Sequence, residues 1–145
     1  MTFPARRTGR GLVGQGPQPI QSKGFTMGTS ILAPRGGQVP WHNQTQEEVY
    51  FIMQGEGEIC VGEERRPIKA GQAVYLPPTV FHQLTNTGDE PMHMLYVYCP
   101  GGDVAHWKQE LEGTLPKAGE GEIPPLPAGA QRQWTETTSK PEKVD

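Results

Sequence analysis

The stretch GGQVPWHNQTQEEVYFIMQG, residues 36–55, decides the fold. It opens on two glycines, carries His42 and Gln44 two residues apart, then runs through β-branched and aromatic residues from Glu48 to a stop at Gly55. Side chains two apart on a strand emerge on one face, so an extended segment points His42 and Gln44 the same way. By the same parity Glu48 shares a face with Tyr50 and Ile52, and a carboxylate on such a face needs a cation. A second stretch, GQAVYLPPTVFHQLTN, residues 71–86, opens on a glycine, breaks at Pro77 and places His82 five residues further on. A barrel that brings these segments together makes two imidazoles and a carboxylate converge. That donor set suits Fe(II) with open positions, and Mn, Ni, Co or Zn can use it too.

Working outward, short apolar runs at 25–33, 48–53, 58–61, 73–76, 81–85 and 92–98 predict strands. Gly and Pro clusters, and the Asn86 to Asp89 turn, separate them. The run at 58–61 follows Gly55 and Gly57 so closely that a tight hairpin is expected there. Strands at this spacing without helices between them indicate an antiparallel sandwich or barrel. One helix is expected, over 104–112, with Asp103 as its N-cap and Gly113 as its stop. The later prolines, from Pro116 to Pro141, forbid regular structure. The expected organisation is an N-terminal arm at 1–24, a barrel with its short following helix at 25–113, and a Pro-rich C-terminal tail at 114–145.

Composition agrees with one turn-rich domain. Among 145 residues there are 19 glycines and 15 prolines, which in the middle of the chain punctuate apolar runs. The net charge of −3 argues against a nucleic-acid footprint. Arg6, Arg7, Arg10 and Lys23 gather without an acid in the arm, and are read as a solubilising cluster. No stretch approaches the ~20 apolar residues of a membrane span. Cys60 and Cys99 are isolated, each in an apolar run, and are expected as buried free thiols. With no targeting segment visible, a cytoplasmic protein is expected.

The two stretches resemble the paired motifs of the cupin superfamily, small single-domain members in particular. Gly36, His42, Glu48 and Gly55 fall on the fixed places of the first motif, and Gly71, Pro77, His82 and Asn86 on those of the second. The resemblance covers residues 25–98. It implies an all-β double-stranded β-helix, a jelly-roll barrel, here with a short C-terminal helix and irregular terminal arms. It also implies one divalent transition ion, with iron favoured and Mn, Ni, Zn or Co as alternatives, held by His42, Gln44, Glu48 and His82. Two positions depart from the pattern. Thr79 stands where the second motif has glycine, and Gln44 where the first has its second histidine. A neutral amide oxygen is the weaker ligand, although zinc phosphomannose isomerases of the superfamily use glutamine in this way.

Within that family a metal-dependent enzyme acting on a small organic molecule is expected, a dioxygenase or a lyase or isomerase. The alternative is a non-catalytic ligand-binding barrel; no catalytic residue beyond the metal ligands stands out. His93 and Arg35 are read as structural or surface residues. A small-molecule ligand and a second copy of the chain are the expected partners, the homodimer because related barrels pair through a sheet with their terminal segments reaching across.

Overall fold

The structure is a computed structural model. It describes residues 5–102 together with the backbone of Thr2–Phe3. The expected helix over 104–112 and the tail at 114–145 lie outside these residues. Those described form strands β1 (Thr2–Phe3), β2 (Arg7–Gly14), β3 (Ile20–Gln21), β4 (Thr26–Leu32), β5 (Gln38–His42) and β6 (Glu47–Gln54). Then follow β7 (Glu56–Val61), β8 (Glu64–Lys69), β9 (Ala73–Leu76), β10 (His82–Asn86) and β11 (Met92–Cys99). The larger sheet has the order β1-β2-β4-β11-β6-β9, with β3 on β2, and the smaller has β5-β10-β7-β8. Every pairing is antiparallel except β2 with β3. This is the expected jelly roll.

The core lies between the sheets. Leu32, Tyr50, Ile52, Met92 and Met94 come from the larger sheet, and Val39, Ile59, Ile68 and Leu84 from the smaller. Period-two burial is cleanest on β6, where Glu48, Tyr50 and Ile52 are buried while Val49, Phe51 and Met53 are exposed.

Three features differ from the sequence expectation, each for a local reason. The segment before Phe25, expected as an irregular arm, contributes β2, paired with β4 from Arg7↔Leu32 to Val13↔Met27. Gly9 and Gly11 hide its alternation, and Arg7 rather than an apolar residue occupies an inward position. Strand β8 was not expected. As an edge strand paired only with β7 it buries Ile68 alone and tolerates Pro67, so it carries no apolar signal. Finally, β6 and β7 do not form a hairpin, because they belong to different sheets. Gly55 turns the corner between them at φ 93°, a left-handed conformation that costs glycine little.

Cys60 is buried as expected, and burial pushes its thiol up to about 11. Cys99 is exposed instead, since the alternation of β11 turns its last residue outward. Among the described residues no helix is long and apolar enough to cross a membrane.

Candidate metal centre

His42 closes β5 and His82 opens β10, and the register pairs them directly across the two strands. Their ring centroids are 4.3 Å apart, with the planes at 63°. Glu48 reaches the same point from the facing sheet, near the start of β6, where it pairs with Tyr98 and Leu76. All three side chains are buried: His42 is 3%, Glu48 6% and His82 1% exposed. One donor atom from each lies within 4.8 Å of the others, so this group of three could hold one metal ion.

The backbone sets how the imidazoles face. His42 Nδ1 lies 2.6 Å from the Pro40 carbonyl oxygen, and His82 Nδ1 3.0 Å from that of Val80. A carbonyl only accepts, so each Nδ1 carries the proton, and each Nε2 lone pair is left for the barrel interior. Such second contacts orient ligating histidines in metal sites generally. Tyr50 packs edge-on against His82 at 5.9 Å and holds the ring from the side.

Polar satisfaction tests whether a cation fits. Buried donors and acceptors normally find partners. Here His82 Nε2, Glu48 Oε2 and both atoms of the Gln44 side-chain amide are buried without a hydrogen bond. His82 Nε2 and Glu48 Oε2 are 3.6 Å apart, too far for a hydrogen bond. Burial pushes the Glu48 carboxyl above its ordinary range, against the opposing pull of His82, Arg7 and Gln44. A cation among these atoms would answer both anomalies, so the residues present fit a metal ion.

Gln44 arrives by a different route from the one expected. Strand β5 ends at His42, so Gln44 sits in the loop before β6, and strand parity does not place it. What places it is the Thr79 turn, whose N–H donates to the Gln44 carbonyl at 2.7 Å, while Asn43 Nδ2 donates back to the Thr79 carbonyl at 3.0 Å. Thr79 itself has φ 68°, which explains why the motif favours glycine there. A β-branched residue in this region costs about 1–2 kcal/mol, partly offset in the unfolded state. Thr79→Gly is therefore expected to stabilise the protein by about 1 kcal/mol; an unchanged or lower denaturation midpoint in urea would contradict this.

Among the other residues singled out, Asn86 is wholly buried and structural. Its Nδ2 donates to the Leu32 and Glu90 carbonyls, and its Oδ1 accepts from Gly88 N–H. Arg35 forms an exposed pair with Asp89, so its surface reading holds. His93 faces outward on β11 between Ile31 and Gln54. The sequence reading put Arg7 in a solubilising cluster, and the structure corrects this, because Arg7 is buried within the barrel. The available signal was its place in the alternating series of positions 7, 9, 11 and 13, which β2 turns inward.

Residues 28–98, about half of the chain, match the cupin domain family. The chain belongs to the cupin superfamily. Among solved structures, this cupin resembles DMSP lyase DddQ from Ruegeria pomeroyi at 31% identity and TM-score 0.58, over 69% of this chain and 49% of that one. It also resembles a Cupin 2 conserved barrel domain protein from Salinispora arenicola at 28% identity and TM-score 0.55, over 71% and 81% of the two chains. In sequence it is 41% identical over 56 residues to the glucose-6-phosphate isomerase of Pyrococcus horikoshii, over 35% of this chain and 30% of that protein. The chain spans about half or less of the length of the first curated relatives it matches.

Proposed function

We propose that this cupin is a metal-dependent enzyme acting on a small organic molecule, with His42, Glu48, His82 and the Gln44 amide oxygen holding one divalent transition ion. The observation that carries this reading is the convergence of His42, Glu48 and His82 on one point, with Glu48 Oε2 and His82 Nε2 buried there without a hydrogen bond. Such an ion, with iron favoured and Mn, Ni, Zn or Co as alternatives, would polarise a carbonyl or hydroxyl of the substrate, or support redox chemistry if it is iron. The chain's own part is to fix both imidazoles as Nε2 donors, to place the Glu48 carboxyl beside them, and to enclose the reacting group in barrel walls that exclude water. Likeness to a lyase and an isomerase above 25% identity supports lyase or isomerase chemistry first. The two-histidine, one-carboxylate set keeps a dioxygenase as the second reading. A non-catalytic ligand-binding barrel would share the metal and lack turnover.

Elemental analysis tests the first step. Wild type purified without chelator is expected to carry about one transition ion per chain, and the His42→Ala, His82→Ala double variant none. Undiminished metal in that variant would remove the site assignment.

A homodimer is part of the same proposal. Ile31, Val49, Phe51, Met53 and Tyr75 lie 38–53% exposed on the outer face of the larger sheet. Across the strands Val49 pairs with Val97 and Tyr75, and Phe51 with Leu95, which makes the patch contiguous. A patch of this kind marks an interface, and a second copy brings the matching apolar face. Light scattering is expected to give twice the chain mass for wild type and a single chain mass for Phe51→Arg. A wild-type monomer at micromolar concentration would refute the dimer.

A further inference from the structure

The two sheets part along one side of the barrel, where β8 is the last strand of the smaller sheet and β9 the last of the larger. On the opposite side they are tied together, since the Gln38 N–H at the start of β5 donates to the Ala5 carbonyl beside β2 at 3.0 Å. Between β8 and β9 lies an open cavity of about 650 Å³. Its volume falls in the range of small-molecule sites.

The register ties this cavity to the metal centre. Directly opposed residues of an antiparallel pair turn their side chains to the same face and touch. Val61, in the cavity wall, opposes His82, so it stands beside that imidazole on the inner face of the smaller sheet. Val74, in the facing wall, opposes Tyr50, the ring that packs against His82. The next inward residue of β9, Leu76, opposes Glu48. Ile59 and Ile68 continue the floor into the core. The inner end of the cavity therefore abuts the residues that form the centre. Towards solvent, the inward positions of β8 opposite Ile59 and Val61 carry Arg66 and Glu64. These two form an exposed ion pair at 2.9 Å.

A barrel closed on this side would fill both positions with core side chains. Charged residues there leave the seam open, and Val61 and Val74 stay only partly buried beside the centre. We propose that this cavity is the ligand site of the metal centre, entered from the side between β8 and β9, and that it takes a small molecule with one oxygen-donor end and a short apolar body. The donor end faces the ion held by His42, Glu48 and His82, and the body lies on Ile59, Val61, Ile68 and Val74. An apolar lining with few polar groups suits such a molecule. A phosphorylated ligand fits poorly, because Arg66, the cation of this lining, is already neutralised by Glu64. This inference rests on the metal-site reading above and adds the route of entry and the substrate class to it.

The test uses the full chain loaded with Co(II), whose visible spectrum reports ligands entering its coordination shell. Acetate and butanoate, which differ by two methylenes, are titrated into wild type, Val74→Trp and Val74→Thr. Cobalt content and thermal midpoint are measured on each protein first. Wild type is expected to bind butanoate about 10-fold more tightly than acetate, the effect of burying both methylenes. Val74→Trp fills the space for the chain and should abolish that preference, with cobalt content retained. Val74→Thr keeps the shape, puts a hydroxyl in the floor and should cut the preference by about threefold. Wild type that takes up cobalt yet shows no preference for butanoate would overturn the pocket and leave the metal site standing. A preference undiminished in both variants would overturn it equally, because the chain would then lie elsewhere. If Val74→Trp does not fold, Val74→Thr decides by the same comparison. Failure of wild type to take up cobalt would overturn the metal reading, and this inference with it.

Discussion

Gly57→Ala is expected to cost about 3 kcal/mol and to lower the thermal midpoint by about 10 °C. Gly57 lies on β7 between two partners, opposite Asn86 of β10 and Ile68 of β8. A Cβ there would overlap the carbonyl oxygen of Thr85 and press on the Met92 methyl. The obstacle is backbone, and a strand in the middle of a sheet cannot step aside as a side chain can. Accommodation requires β7 and β10 to separate, which lengthens their ladder hydrogen bonds and opens the core around Met92. That places the cost at the upper end for overpacking, a large share of the ~5–15 kcal/mol that stabilises a domain. Gly24→Ala is the control, because nothing lies within 4 Å of the added methyl and its backbone is unstrained. Thermal unfolding followed by circular dichroism should separate the two variants clearly. Equal midpoints would mean that the β7–β10 contact is looser than the structure shows.

Strands were legible where one face is buried and the other is not. Strand β6 alternates cleanly, and the same parity that identified it put Glu48 on the inner face with Tyr50 and Ile52. Strand β8 was not legible because an edge strand with one buried residue has no pattern to show. Strand β2 was hidden differently, since glycines fill its inward positions and an arginine takes the one that a hydrophobic residue would mark. The Gly55 corner shows a limit of local signals. Two runs joined by a glycine look like a hairpin, and only the pairing of β7 with β10 reveals that the chain has changed sheets. At the site, motif spacing located His42, Glu48 and His82, and the structure brings them together. Gln44 was identified by its motif place and by a strand argument, and only the second fails, because its loop is held by Thr79 rather than by strand parity.

Replacing Glu48 by glutamine is expected to move stability in opposite directions with and without metal. Burial raises the Glu48 carboxyl, so the fold favours its neutral form. In the metal-free protein this group therefore contributes stability at low pH that is lost as pH rises from the ordinary carboxylate range towards its raised value. At neutral pH the ionised form is held at a cost, and a neutral isostere removes that cost. Metal-free Glu48→Gln should thus be more stable than metal-free wild type at pH 7 by about 1–2 kcal/mol, and the gap should close on acidification. Metal reverses the order. Wild type at a metal concentration about a thousandfold above Kd gains about 4 kcal/mol by mass action, because the ion binds the folded chain alone. An amide lacks the charge that anchors the ion, so the variant should lose most of that gain. Unfolding midpoints measured at pH 5 and pH 7, each with and without Zn(II), test all four corners. A variant that is destabilised without metal, yet still gains the full metal increment, would show that Glu48 is a structural acid with no part in holding the ion.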